Sequence, residues 1–229
     1  MNSVLVIIPA YNEQDNIKRV VDNLISDYPE YDYVVVNDGS RDDTKKICLE
    51  NNYNLLDLSV NLGLAGGFQA GMKYAYQKGY DYAIQFDADG QHRPEYIKPI
   101  LEKFEEDYNI VIGSRFVTQK KNMSFRMLGN RLISLVIRLT TGMKITDPTS
   151  GMRMFDRTMI KECATNINYG PEPDTVSFLV KNGARVAEVQ VEMDERIAGE
   201  SYLNAINSMK YMIRMMISIV VIQNFRKRG

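Results

Sequence analysis

Tryptophan is absent from the 229 residues, histidine occurs once and cysteine twice. One histidine and two widely separated cysteines argue against a disulfide framework or a thiolate metal site. Cys48 and Cys163 each fall in a helix-like polar/apolar pattern and read as reduced packing thiols, which suits a cytosolic chain. Charge of one sign is also lacking: 28 Lys+Arg stand against 29 Asp+Glu, for a net charge of −1. No basic field exists to hold a nucleic-acid backbone, so nucleic acid is excluded as a partner. The longest apolar stretch, Met215 to Ile222, spans 8 residues and contains a serine, well short of the ~20 needed to cross a bilayer. The opening MNSVLVIIPAYNE has neither a basic leader nor a small-residue cleavage site, so its apolar run reads as a strand rather than a signal peptide.

Hydrophobic residues make up 45% of the chain, ample for one large α/β domain. Short β-rich runs at Val4–Ile8, Tyr33–Val36, Asn54–Leu58, Tyr82–Phe86 and Ile110–Gly113 alternate with helical patterns near 12–28 and 42–51, one that follows the glycine-rich turn 61–67 and runs to 78, and one near 94–107. That alternation predicts a mostly parallel sheet with crossover helices. It stops at a long apolar helix over 124–141. Strands at 151–155 and 185–191 then flank a helix at 174–182, and a helix over about 202–224 closes the chain. The expected organisation is a domain over 1–200 and a C-terminal amphipathic helical segment over 201–229.

The strongest chemical signal is Asp87-Ala88-Asp89-Gly90-Gln91, two carboxylates spaced two apart just past a strand end. Open α/β sheets bind ligands at the carboxyl ends of their strands. Two hard oxygen ligands there can hold Mg²⁺ or Mn²⁺ and leave coordination sites for diphosphate oxygens; an Asp-rich turn without an ion is the alternative. Asp38, in Asn37-Asp38-Gly39-Ser40, also closes a strand, either to meet a base or ribose or to cap a turn. Glu13, after Pro9-Ala10-Tyr11-Asn12, brings a third acidic residue to the same edge. Gly63, Gly66, Gly67 and Gly71 do not fit G-x-G-x-x-G, which disfavours a dinucleotide-binding dehydrogenase. These glycines either let a helix start lie against a nucleotide or permit tight helix packing.

In this order and spacing, these motifs resemble the GT-A glycosyltransferases of family 2, together with Gly113-Ser114-Arg115, Asp147-Pro148-Thr149-Ser150-Gly151, and Arg196 followed by Gly199-Glu200-Ser201. Within that family the chain is similar to the polyprenyl-phosphate hexosyltransferases of the dolichol-phosphate mannose synthase group. The resemblance implies a Rossmann-like nucleotide-diphospho-sugar transferase fold. It places Pro9, Ala10, Tyr11, Glu13, Asp38, Gly66, Asp87, Ala88 and Asp89 around the donor nucleotide, and Asp87, Asp89 and Gln91 around the metal. It makes Asp89, Arg115, Arg126, Asn130, Asp147 and Arg196 the catalytic set, with Arg126, Asn130, Arg196 and Ser201 on acceptor phosphate. A UDP-hexose donor, glucose or N-acetylglucosamine, is favoured, with GDP-mannose as the alternative. Processive synthases of the superfamily carry Gln-x-x-Arg-Trp, which a chain without Trp cannot have.

A phosphate acceptor arrives ionised and needs positive charge, whereas a sugar or protein hydroxyl needs a general base. Asp147 is the base candidate for a hydroxyl, or else caps the turn at Pro148; His92 borders the metal motif or packs against it. Ile206, Met209, Ile213, Met216 and Val220 form an apolar stripe flanked by Lys210 and Arg214, and Arg226-Lys227-Arg228 follows. Leu128, Leu132, Leu135 and Leu139 form a second stripe beside Arg126, Arg131 and Arg138. Both suit a peripheral site on the cytoplasmic side of a membrane. A small integral-membrane partner or self-association would strengthen so weak an anchor.

Overall fold

The computed structural model describes residues 3–119, 125–166, 170–194 and 205–225. Seven strands form one sheet: β1 Val4–Ala10, β2 Asp32–Asn37, β3 Leu55–Asp57, β4 Tyr82–Gln85, β5 Ile110–Ser114, β6 Arg153–Asp156 and β7 Val186–Gln190. Their order across the sheet is β3-β2-β1-β4-β6-β5-β7. All pairings are parallel except those of β6, which runs antiparallel to both β4 and β5. The expected mostly parallel α/β sheet is therefore present. Because β1, β2, β4 and β5 point the same way, their carboxyl ends and the loop entering β6 meet at one edge.

Helices α1 (Ile17–Asp27), α2 (Thr44–Glu50) and α4 (Ile97–Glu102, between 3-10 turns) cover one face, and α3 (Gly63–Lys78) lies on the other. That second face also carries α5 (Phe125–Thr141), α6 (Arg157–Thr165), α7 (Pro173–Lys181) and α8 (Ala205–Val220). Strand side chains alternate between the layers. Val4, Val6 and Ile8 pack with Val20, Val21 and Ile97, while Leu5 and Ile7 pack with Phe68, Phe155, Ile133 and Met215. β1, sandwiched between β2 and β4, is buried from Val4 to Ile8, which explains its unbroken apolar run.

Helix α6 contains Cys163, whose surroundings have a helix-like pattern in the sequence, although no helix is delimited there from the sequence alone. It is a short helix whose Asp156 accepts from the Met159 N–H at 2.8 Å as an N-cap, and Met159, Ile160, Cys163 and Ala164 fill one side. Helix α8 carries a double duty. Met215 and Ile219 belong to the same core as the sheet, so the segment expected as an appendage contributes its inner face to the main domain. No helix among the described residues is long and apolar enough to cross a membrane.

Candidate active site

The acidic pair sits just past the end of β4. Asp89 is buried and its Oδ1 accepts from the Gln91 N–H at 3.0 Å. Asp87 is partly exposed and is held from three sides. The Gln85 Nε2 donates to its Oδ1 at 3.1 Å, and its own N–H donates to His92 Nδ1 at 2.9 Å. A Cβ added to Gly151 would lie 2.6 Å from its Oδ2, so only glycine at 151 leaves that carboxylate its place. His92 Nε2 lies 3.5 Å from the same oxygen, and the ring packs edge-on to Phe86. The buried histidine therefore orients the loop. Gln91 sends its side-chain amide to the Asp194 carbonyl at 3.1 Å.

Two hard carboxylates at an open strand end fit a divalent cation whose other ligands come from a diphosphate and water. Among the described residues no cluster of three or more His, Cys, Asp or Glu side chains exists to enclose a cation alone. The set suits an ion that is shared with a substrate.

At the neighbouring strand ends, Ala10 is buried and its carbonyl accepts from the Asp38 N–H at 2.9 Å. Asp38 is buried too, and its Oδ1 accepts from the Leu62 N–H at 2.7 Å. It thereby ties the end of β2 to the start of α3. Glu13 opens α1, its Oε2 accepting from Asn16 Nδ2 at 2.9 Å, while Pro9 and Tyr11 are partly exposed on the same rim. The glycines divide by role. A Cβ on Gly71 would strike Ile7 of β1 and one on Gly66 would strike Leu62, whereas Gly67 has ordinary room beside Pro9 and Asp38. Gly71 thus serves helix–sheet packing, and Gly67 faces the strand-end rim.

Asp147 gathers the other side of the edge. Completely buried, it accepts from Arg115 Nε at 2.7 Å, Arg115 Nη2 at 2.9 Å, the Arg115 N–H at 3.2 Å and Asn130 Nδ2 at 2.9 Å. Burial alone would raise its pKa, but the hydrogen bonds and charge of Arg115 outweigh it and hold the carboxyl below its ordinary value. The loop is fixed in turn by Glu188 on β7, which accepts from the N–H groups of Thr146 and Asp147 at 2.7 and 2.8 Å. Glu188 is not among the residues singled out from the sequence, where a lone acid in the strand Val186–Gln190 is its one signal, and Gly151 appears there only as the end of the Asp147-Pro148-Thr149-Ser150-Gly151 motif, without a role of its own. Ala88 is buried between the two acids. Arg126 lies in the first turn of α5, its side chain outside the described residues, as are Arg196 and Ser201 entirely.

On the outer side of the second helical layer, Leu128, Leu132, Leu135 and Leu139 of α5 are exposed, as are Met209, Ile213, Ile217 and Val220 of α8. Met216 of the expected stripe is half-buried, and Ile206 falls outside the described side chains. Gly129 lets the two helices meet closely, since a Cβ there would overlap Met212. Neither α5 nor the stretch 205–225 contains an acidic residue, while Arg131, Arg138, Lys210 and Arg214 are exposed.

Comparison with known proteins places this geometry. Residues 5–164 match the family Glycosyl transferase family 2. The chain is 30% identical to the undecaprenyl-phosphate mannosyltransferase of Micrococcus luteus, over 88% of this chain and 87% of that one. It is 34% identical to the UDP-N-acetylglucosamine–dolichyl-phosphate N-acetylglucosaminyltransferase of Methanococcus voltae, over 82% and 84% respectively. Among solved structures, mannosyl-3-phosphoglycerate synthase from Rubrobacter xylanophilus superposes with a TM-score of 0.70 at 17% identity, over 100% of this chain and 76% of that one. Glucosyl-3-phosphoglycerate synthase from Mycobacterium tuberculosis, in complex with Mn²⁺, UDP-glucose and phosphoglyceric acid, gives 0.68 at 16%, over 100% and 82%. A family match that runs from β1 to α6, across the strand ends carrying Asp38, Asp87 and Asp89, makes this GT-A-fold chain a member of glycosyl transferase family 2 and a glycosyltransferase.

Proposed function

We propose that this glycosyltransferase moves a single hexose from a nucleoside-diphosphate sugar to a polyprenyl phosphate, with inversion, as a peripheral protein on the cytoplasmic face of a membrane. The observation that carries the reading is a juxtaposition. The acidic pair and the Arg115–Asp147–Asn130 cluster share one sheet edge, and α5, which supplies Asn130, turns an apolar, acid-free outer side to solvent. A site of that build suits a donor bound at the strand ends and an acceptor whose tail stays in lipid.

Asp87 and Asp89, with Gln91 beside them, would hold Mg²⁺ or Mn²⁺. Bound there, such a cation would supply positive charge to the leaving diphosphate. Asp38, Glu13, Ala10 and Tyr11 would line the nucleoside, with Pro9 and Gly67 completing the rim, while Gly66, expected there, would let the start of α3 turn tightly against Leu62 beside it. Asp147 has its oxygens filled by Arg115 and Asn130, which leaves it poorly placed to take a proton from a hydroxyl. A phosphate acceptor asks for no such base. Arg126, Arg196 and Ser201 are the proposed acceptor-phosphate contacts. The printed activities of the relatives span mannose, N-acetylglucosamine and 4-deoxy-4-formamido-L-arabinose. We favour a UDP-hexose, glucose or N-acetylglucosamine, over GDP-mannose. The buried free thiols Cys48 and Cys163 suit the reducing side of the membrane.

The test is a donor panel of UDP-glucose, UDP-N-acetylglucosamine and GDP-mannose against a short-chain polyprenyl phosphate, with Mg²⁺, with Mn²⁺ and with excess chelator. Metal-dependent transfer to the lipid phosphate is expected, abolished in Asp89→Ala with the fold intact. Transfer to a soluble glycan hydroxyl in place of the lipid, or full activity in chelator, overturns the reading.

A further inference from the structure

Beneath the acidic pair lies a buried polar layer that the reaction as described leaves unused. Gln85 and Arg153 face each other across the antiparallel β4–β6 pair, 2% and 1% exposed. Directly opposed residues of such a pair stand on the same side of the sheet with Cβ atoms ~5 Å apart. The next residues along the same strand faces, Ala83 and Phe155, are apolar core. An amide and a guanidinium here interrupt that core at real cost, since buried polar groups must find partners.

Arg153 spends Nη1 on the carbonyls of Pro171 and Glu172, at 2.8 and 3.3 Å, and Nη2 on that of Pro148, at 2.6 Å. Its bonds thus tie the loop before β6 to the segment entering α7. That structural duty accounts for two nitrogens of the guanidinium. It does not account for Gln85, whose Nε2 donates to Asp87 Oδ1. Two buried atoms are left without partners in this layer, the Gln85 Oε1 acceptor and the Arg153 Nε donor. They belong to the two residues in register, and each lacks what the other offers.

We propose that Gln85 is a positioning residue for Asp87. Its amide fixes the plane of the Asp87 carboxylate toward a divalent cation, and the Arg153 charge behind it polarises that amide. The carboxylate is then clamped by Gln85 on one oxygen and by the bare Cα of Gly151 against the other. Outer partners that orient a ligating carboxylate change metal affinity by roughly 10–100-fold when removed. This inference rests on the divalent-cation reading given above.

Gln85→Met nearly keeps length and volume and removes both polar atoms; Gln85→Leu also removes both in a shorter, branched shape, so the result does not hang on one packing. Mn²⁺ affinity in the presence of UDP is read by electron paramagnetic resonance of the free ion, alongside the thermal midpoint. Asp87→Ala is the reference. Expected is a loss of Mn²⁺ affinity of roughly tenfold or more in the Gln85 variants, with a midpoint unchanged or raised because a buried unpaired acceptor is gone. A role in packing alone would move the midpoint and leave the affinity. Mn²⁺ affinity within twofold of the parent in either folded variant, while Asp87→Ala loses it, overturns the positioning role. Unchanged affinity in Asp87→Ala itself overturns the cation reading instead.

Discussion

Asp147 shows how one residue's environment settles its chemistry. A carboxylate that accepts two bonds from one guanidinium, a backbone N–H and an amide has no lone pair free for a substrate proton. Asp147→Asn leaves Arg115 without its counter-charge and should cost about 3 kcal/mol of stability. Because the folded pKa is depressed, the native carboxylate's contribution is complete above the ordinary value of ~3.9. It is lost as the pH falls through the folded value. Thermal midpoints of parent and variant should therefore differ most at neutral pH and converge below about pH 4; a constant gap would refute this account. Gly151→Ala is the second residue-scale expectation. The added methyl meets the Asp87 carboxylate at 2.6 Å, so donor and Mn²⁺ binding should fall while the midpoint stays near that of the parent. The acidic pair was legible in sequence because its two members lie two residues apart beyond a strand. The Asp147 cluster was less so: its partners stand 17 and 32 residues away, and only the fold brings them together.

At the scale of elements, all seven strands fall within or overlap the expected runs, which show as short apolar segments bounded by turn residues, rich in β-branched residues in β1, β2 and β5 but without any in β3 and β6. Helix starts were read early, as at α1, where the chain from Asn12 to Asn16 forms turns before Ile17. Asn12 adopts a positive φ of 56°, a conformation that breaks helical continuity and that asparagine tolerates. α6 shows in the sequence only as the helix-like pattern around Cys163, because it follows β6 directly with no glycine or proline to mark where strand gives way to helix; its Asp156 cap followed by Met159 and Ile160 is the local signal of its start. That β6 enters antiparallel between β4 and β5 was invisible, since pairing direction has no local signature. The α5–α8 contact is likewise tertiary. Gly129 sits where a Cβ would overlap Met212, so Gly129→Val should push the two helices apart and lower stability by about 1–3 kcal/mol. Calorimetry checks this, and an unchanged midpoint would mean that Met212 simply swings aside.

For the whole molecule, the two faces of α8 decide how the proposed membrane contact can be tested. Its inner face is core, through Met215 and Ile219, and it is pinned to α7 by Ser218 Oγ donating to Asp174 at 2.6 Å. Removing the helix would therefore damage the fold and reduce activity on any acceptor, which makes truncation a poor probe of membrane attachment. The outer side can be altered alone. Leu135 of α5 and Ile213 of α8 are each about half exposed, at 50% and 48%, so charging them costs the core little. One amphipathic surface gives reversible adsorption, and each nearby Arg or Lys adds about 1 kcal/mol on anionic lipid. Arg131, Arg138, Lys210 and Arg214 are placed to do so. The double variant Leu135→Asp/Ile213→Asp should keep its thermal midpoint and its rate on a detergent-free, short-chain polyprenyl phosphate. On acceptor embedded in vesicles containing anionic lipid its rate should drop at least roughly tenfold, a loss of about 1.4 kcal/mol of productive binding. Added salt should slow the parent on the same vesicles by screening the basic residues. If the variant loses equally on both acceptors, the outer face serves the catalytic fold; if it loses on neither, α5 and α8 do not meet the bilayer.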